Sequence, residues 1–404
     1  MSTTDKKLNI FTLSGLIIGP ILGSGVILLP PLLFNLVGNY SLYIWIAISV
    51  LGFIFALIFG KLSILYPGEG GVSLATKNHL GKKYQLLTSF YLICAVLFGP
   101  VAVLLTAAQF LQIYFHNTSI ALIALYLYIP TYILLLSNIN FIAKIMLLLT
   151  SLITVIFIVA SINILINTNN FIFALPLFNF KDIGYSFLLV FWAIVGWEVI
   201  GNYSNDAKSS KTITSSVIFS AIIVSLVYIL ISLAITFGDF NLKTTNNFQL
   251  VWILDPIFGN FSNLLLTVMT IILCIGTIIL FVGGVARLVA SLKLTKFTSI
   301  HLKNNSPFGA ITSLASFHLF VLILVFYEVL NTADLVAFAD GFFIANALIG
   351  LFTAIIIFEN GFLKYSSYIL SFLFFLILLT SNIYILFTIL VLFLYTYFKK
   401  NTNI

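Results

Sequence analysis

Gly15-Leu16-Ile17-Ile18-Gly19-Pro20-Ile21-Leu22-Gly23-Ser24-Gly25-Val26, with Pro30-Pro31 close behind, lies in the first apolar run of the chain, and it carries two opposed signals. The run from 11 to 36 is long enough to cross a bilayer, which takes about 20 apolar residues. Yet Pro20 removes a helical donor and Gly-Ser-Gly follows at mid-depth, a combination that favours local unwinding. Unwound backbone at that depth is tolerated only where it lines a cavity inside the protein. Close helix packing through small residues is the other reading of an isolated Gly-x-Gly.

The rest of the chain repeats the membrane signal. Its 404 residues are 61% hydrophobic and 7% charged, where a soluble domain carries about 25% charged residues. A soluble globular protein is excluded, and no sizeable soluble domain fits beside the apolar runs. Twelve spans are predicted, at 11–36, 41–65, 84–114, 119–137, 142–166, 183–205, 213–238, 262–291, 310–330, 333–358, 364–380 and 382–398. Thr380-Ser381-Asn382 separates the last two as a hairpin turn, with one long tilted helix as the competing reading. Phe248 to Gly259, interrupted by Asp255 and Pro256, is too short to span and reads as an interfacial helix.

The net charge of +7 then encodes orientation rather than an affinity for nucleic acid. With the N-terminus inside, Lys6, Lys7, Lys61, Lys77, Lys82, Lys83, Lys144, Lys208, Lys211, Arg287, Lys293, Lys296, Lys303, Lys364, Lys399 and Lys400 fall on the cytoplasmic side, leaving Lys181 and Lys243 outside. Asp182, Asp239, Asp255, Glu328 and Asp334 also fall outside. A miscount of one span would scramble this pattern. The expected location is the cytoplasmic (inner) membrane of a bacterium, with both termini cytoplasmic. The first apolar segment is long and has no small-residue cleavage site, so it reads as span one rather than a cleaved leader. Cys94 and Cys274 sit inside apolar runs, which excludes a disulfide framework or a cysteine-rich metal site.

Span six is interrupted as span one is. Phe191-Trp192-Ala193-Ile194-Val195-Gly196-Trp197-Glu198-Val199-Ile200-Gly201-Asn202 holds two glycines and an ionisable group near mid-span. Spans one and six occupy corresponding positions in two five-span halves, 11–166 and 183–358, between a tail at 1–10 and a helical pair at 364–398. Paired interrupted helices in corresponding positions point to the binding site of an inverted-repeat transporter.

These residues resemble the amino acid–polyamine–organocation (APC) superfamily of permeases. GPILGSGVILLPP resembles its first-span signature, Tyr66-Pro67-Gly68-Glu69-Gly70-Gly71-Val72 through Leu80-Gly81 its loop after span two, and FWAIVGWE its sixth-span signature. The resemblance covers roughly residues 11 to 358 and implies an all-α polytopic fold, a 5+5 inverted-repeat (LeuT-like) core with broken helices 1 and 6. Within the family, FVGGVARLVASL (281–292) and AFADGFFI (337–344) look most like bacterial exporters of methionine and branched-chain amino acids.

A free amino acid offers a carboxylate, an ammonium and a side chain. Backbone N–H groups freed at Gly23, Ser24 and Gly25, with the positive end of the following half-helix, would receive the carboxylate. Carbonyls freed around Trp192 and Val195 by the break at Gly196 suit the ammonium, and the resemblance implies the same division. Phe98, Gly99, Pro100 and Phe281 are plausible walls, with ordinary packing as the bland alternative. The resemblance also implies that Trp192 is an aromatic gate over the substrate. Arg287, the single arginine, either snorkels to the interface or makes a gate contact with the loop after span two.

Glu198 and Asp340 are the candidate proton-coupling groups, because an ionisable side chain inside a span is costly and by default functional. The bland readings are that Glu198 caps unwound backbone and Asp340 faces a watery vestibule. Asp340 also departs from the exporters, which tend to carry a neutral polar residue there. Sodium is not expected, since Thr277 is the only hydroxyl near the middle of span eight. His79, His116, His301 and His318 show no metal spacing, and His318, the intramembrane one, reads as a packing residue rather than a relay. No P-loop is present, so gradients or exchange supply the energy and no cofactor is expected. The expected activity is secondary transport of neutral amino acids, by an exporter or by a proton-coupled importer of the same fold. A membrane-embedded transferase would need clustered His, Asp, Glu or Cys at the membrane surface, and the sequence has no such cluster.

Overall fold

The computed structural model describes residues 7–169, 173–238, 240 and 249–398. The positions read above at Lys6, Asp239, Lys243, Phe248, Lys399 and Lys400 lie outside them. Among the described residues the chain is helical, with one isolated bridge between Leu8 and Ala207. Ten segments are long and apolar enough to cross a bilayer, so this is a multi-pass membrane protein. Two further apolar helices, Ile120–Leu135 and Ile383–Phe398, are shorter.

In chain order, α1 (Ile10–Leu22) and α2 (Gly25–Val37) form the first, broken crossing. They are followed by α3 (Tyr40–Leu65), the short α4 (Val72–Leu80), α5 (Lys82–Gln112), α6 (Ile120–Leu135) and α7 (Ile139–Asn167). The second broken crossing is α8 (Phe180–Val190) plus the 3-10 segments Phe191–Ala193 and Trp197–Asp206. Then come α9 (Ser210–Phe237), α10 (Val251–Phe258), α11 (Ser262–Leu292), α12 (Phe308–Phe326), α13 (Thr332–Ile357), α14 (Phe362–Leu379) and α15 (Ile383–Phe398). The turn at 380–382 therefore separates two helices. Lys83 Nζ donates to Tyr397 O at 2.7 Å, tying the far end of α15 to the start of α5.

Burial sorts the helices. The α1–α2 pair, α5 and α11 are the most enclosed, whereas α7 turns Leu148, Leu152, Val155 and Val159 outward, each more than half exposed. Those positions recur every three to four residues, one helical face. An exposed stripe made wholly of apolar side chains is a lipid-facing one. The sequence starts several helices with a side-chain cap: Asn9 with Thr12 and Asn331 with Asp334 close capping boxes, and Ser119, Asn138 and Ser209 cap α6, α7 and α9. The short α10 buries Val251, Ile253 and Leu254 and exposes Asp255, Pro256 and Ile257.

One buried hydrogen-bond chain explains the intramembrane histidine. Pro100 has no N–H to give the carbonyl one turn back, at Val96. His318 Nε2 fills that place from α12, 2.7 Å from Val96 O, and its Nδ1 lies 2.6 Å from the Tyr128 hydroxyl on α6. A carbonyl only accepts, so Nε2 carries the proton, and in the neutral ring Nδ1 accepts from Tyr128. Both ring nitrogens are thus committed to packing α5, α6 and α12 around the proline. Replacing His318 with Leu leaves two buried groups without partners, at about 1–3 kcal/mol each. A lowered melting temperature in detergent is the expected result, and an unchanged one would count against this role.

Candidate functional site

The first break is held from outside the helix. Gly23 adopts φ +45°, a conformation that glycine takes without penalty. Its N–H still reaches Gly19 O at 2.7 Å, but the carbonyls around it have left the helical ladder. Thr277 Oγ1 on α11 donates to Pro20 O at 3.2 Å, and the Tyr228 hydroxyl on α9 donates to Leu22 O at 3.3 Å. Trp45 stacks on Tyr228 with ring centroids 4.4 Å apart, fixing that hydroxyl. Helix α2 restarts at Gly25; Ile27 N–H already reaches the N-cap carbonyl of Ser24 at 3.2 Å, which leaves the N–H groups of Gly25 and Val26 as the ones without an intrahelical acceptor.

The second break is a tight turn. After Val190 the chain narrows to a 3-10 turn, and Gly196 takes φ +121° before the 3-10 segment from Trp197. Glu198 is buried, and its Oε2 accepts the Gly196 N–H at 3.0 Å. This is the capping arrangement. Glu198→Gln keeps an acceptor of the same reach and is expected to keep most activity, whereas Glu198→Leu leaves the Gly196 N–H bare and lowers activity about tenfold or more. Initial transport rates of the two variants, at matched amounts of inserted protein, check this.

Both breaks border one cavity. Gly23, Ser24, Gly25, Trp192, Val195, Thr277 and Phe281 line it together with Gly99, Pro100 and Phe343, and no charged side chain does. It leaves about 20 Å³ for a water-sized molecule, room for about one water. The rings of Phe281 and Phe343 meet edge-on at 5.1 Å along one wall. Gly196 stands just behind: a Cβ there would come within 2.5 Å of Ile21 Cδ1 and 3.1 Å of Phe281 Cζ. Phe98 is a correction, because it does not line the cavity. Its ring packs on Phe317 at 5.8 Å and Phe338 at 5.2 Å, since one residue along a helix turns the side chain by about 100°, and it is Gly99 and Pro100 that face inward. The sequence reading also missed Phe343, one turn beyond Asp340, and gave Thr277 no part in the site.

Trp192 forms a boundary. It also lines a second, larger cavity of about 570 Å³, walled by α2, α5, the start of α13 and the turn at 380–382. Ser24, Gly25 and Val103 are shared by the two cavities, and Asp340 lies on the wall of the larger one.

On the lysine-rich side a third cavity, about 460 Å³, holds Lys7, Glu69, Asp206, Arg287 and His301. Here Arg287 Nε pairs with Asp206 Oδ2 at 3.2 Å, its guanidinium sits 4.6 Å over the Tyr203 ring, and Nη1 donates to Gly283 O at 3.0 Å. Arg287 thus folds inward instead of snorkelling; its ionic partner is the end of the second broken crossing, and Glu69 of the loop after α3 lies on the wall of the same cavity. That loop is fastened to the same crossing, where Gly68 N–H donates to Ser204 Oγ at 2.8 Å, and the crossing in turn is tied to α11 by Asn202 Nδ2, which donates to Gly284 O at 2.9 Å. Leu8 N–H adds a bond to Asp206 O at 2.8 Å. These bonds join the second broken crossing, α11, the loop after α3 and the N-terminal segment.

Comparison with known proteins matches residues 8–403 to the family described as amino acid permease. The L-methionine/branched-chain amino acid exporter YjeH of Escherichia coli (strain K12) is 31% identical over 115 residues, 28% of this chain and 28% of that protein. The uncharacterized amino acid permease YecA of Bacillus subtilis (strain 168) is 25% identical over 225 residues, 54% of this chain and 53% of that protein. The matched regions thus span no more than about half the length of these two curated relatives. The crystal structure of the Eremococcus coleocola manganese transporter superposes with a TM-score of 0.61 over 96% of this chain and 94% of that one, at 12% identity. That likeness is one of fold.

Proposed function

The chain belongs to the amino acid permease family, a transporter and not an enzyme, and from that premise we propose that it carries neutral, apolar amino acids across the cytoplasmic membrane by alternating access. The observation that carries this reading is the uncharged cavity between the two breaks. The first-turn N–H groups of α2 receive the carboxylate, carbonyls of the 192–195 turn receive the ammonium, and the apolar walls leave nothing to pair with a charged side chain. The partial match to YjeH supports methionine or a branched-chain amino acid as substrate and export as direction. A proton-coupled importer or exchanger of the same site is the second reading. All twelve apolar helices cross the bilayer in this proposal, α1–α7 and α8–α13 forming the two inverted repeats and α14–α15 the added pair, with both termini cytoplasmic. The lysine-rich cavity is then the inner vestibule and the larger cavity at Trp192 the outer one.

A proton is the proposed coupling ion. Glu198 is committed to the Gly196 N–H, which leaves Asp340 as the freer carboxyl. Thr277 is the one hydroxyl near the middle of α11, which leaves sodium short of oxygen ligands there. Counterflow of radiolabelled leucine and methionine in proteoliposomes tests the substrate class. Accumulation against internal leucine is expected, and exchange confined to lysine or glutamate would overturn it. Trp192, between cavity and outer vestibule, acts as the lid. Trp192→Ala is expected to weaken leucine binding by about five- to tenfold while insertion is kept, read by equilibrium binding to purified protein. Wild-type affinity in that variant would return Trp192 to simple packing.

A further inference from the structure

Asp340 stands apart from the other acids among the described residues. It lines the large cavity beside Trp192, and its Oδ1 is shut off from solvent without accepting a hydrogen bond. Among the described residues it has no ion pair. A carboxylate oxygen buried without a donor is costly, so the charged form of Asp340 calls for a partner. The neighbourhood restricts what that is. No Lys, Arg or His lines the cavity, and Tyr185 is its only other titratable side chain. Among the helices packed on α13, α5 carries Lys82, Lys83, Tyr84, Tyr91 and Cys94, α14 carries Lys364, Tyr365 and Tyr368, and α15 carries Tyr384, Tyr395 and Tyr397. In addition α4 carries Lys77 and His79, and α3 carries Tyr40, Tyr43 and Lys61. None of these lines the cavity. On α13 itself Asp334 is engaged in the capping box with Asn331. The protein therefore supplies no cation, and the partner has to arrive from outside.

The rest of the wall describes the shape of such a partner. Leu28, Leu29, Val103, Val336, Ile344 and Trp192 make it largely apolar. Asp340 lies one helical turn from Phe343, about 5 Å along α13, and Phe343 already belongs to the central cavity. One carboxylate in an apolar chamber, one turn from the transport cavity, is a receptor for a primary ammonium carrying an apolar body.

We propose that Asp340 is a second, outer station for the substrate ammonium, and that a proton competes with the ammonium for its carboxylate. In the deprotonated state Asp340 holds the ammonium as an ion pair. When a proton adds to the carboxylate the pair is lost, and the amine leaves as the cation it was, with no change in its own protonation. Acid on the side this chamber opens to would then drive release there, which couples export to the proton gradient by exclusion. The inference rests on the proposed amino acid transport and adds to it a site and a way of coupling.

The probe is 3-methylbutylamine, which has the ammonium and side chain of leucine without its carboxylate, measured by calorimetry on the full-length purified protein. Wild-type protein is expected to bind it at pH 8 and to lose about fivefold or more in affinity at pH 5.5, with Asp340→Asn binding weakly and equally at both. Asp340→Glu keeps a carboxylate and is expected to keep a pH dependence. Infrared difference spectra of the wild type supply a readout that needs no variant: adding the amine at pH 5.5 should remove a protonated-carboxyl band. No amine binding to the wild type, equal binding by Asp340→Asn, or an unchanged carboxyl band each overturns the proposal. Amine binding as described with no leucine counterflow would sink the amino acid substrate and leave the ammonium station standing.

Discussion

Gly23→Val and Gly25→Val are each expected to abolish transport in protein that still inserts and folds. At Gly23 the backbone already lies at φ +45°, where a β-branched residue is strained, and a Cβ would stand 2.7 Å from Thr277 Oγ1 and 2.8 Å from Pro20 O. Those two atoms form the bond that satisfies the broken end of α1, so pushing Thr277 aside orphans the Pro20 carbonyl. At Gly25 a Cβ would meet the Tyr228 hydroxyl at 2.8 Å and Trp192 Cδ1 at 3.6 Å, and the remaining bulk of valine would project among groups lining the central cavity. A loss of about 3–4 kcal/mol in transition-state stabilisation corresponds to 100-fold or more in rate, below the background of most vesicle assays. The check is leucine counterflow at matched protein content, with size-exclusion profiles to show a folded monodisperse product. Normal counterflow by Gly25→Val would remove the α2 N-terminus from the site.

Asp206→Lys is the second large effect. It sets a cation against Arg287, whose side chain is only 12% exposed and whose guanidinium is already fixed over Tyr203. Like charges in such a place cost several kcal/mol, and they act where the second broken crossing, α11 and the N-terminal segment meet. The lysine-rich cavity is expected to stay open, with net transport down about tenfold or more. A cysteine placed at Ser137, on the wall of that cavity, reports opening through faster labelling by a membrane-impermeant maleimide, once Cys94 and Cys274 are replaced. Combining Asp206→Arg with Arg287→Asp restores an ion pair of opposite polarity and is expected to recover part of the closure. Labelling unchanged by Asp206→Lys would show that closure rests on the Asn202 and Ser204 stitches alone.

The two breaks were legible in the sequence because their causes are local. Proline without a donor and glycine without a Cβ act within a few residues of where they stand, and span lengths follow from hydropathy just as directly. What the breaks are tied to was not legible. Thr277 is 257 residues from Pro20 and Tyr228 is 206 from Leu22, and nothing in either neighbourhood announces the other. Arg287 was singled out as a lone arginine, yet its partner Asp206 lay in another crossing and passed unremarked. Phe98 failed for a different reason. Hydrophobicity on an all-apolar helix has no phase, so a reading that finds the right turn of α5 can still be one residue, and so about 100°, wrong about which side chain looks inward.

The smallness of the central cavity changes how discrimination between substrates has to be understood. A pocket with room for about one water is no mould of its cargo. Under the proposed function every occupant would have to wedge Phe281 and Phe343 apart and lift Trp192, which makes selectivity an elastic property: each side chain would be judged by the work of spreading the walls set against the apolar surface it hides. Close-packed interiors resist such spreading steeply. Small side chains would then be admitted but weakly rewarded, large ones rejected by stiffness, and the preferred length would lie where the two slopes meet. Trimming Phe343 to leucine would slide that optimum toward bulkier cargo without adding a single new contact.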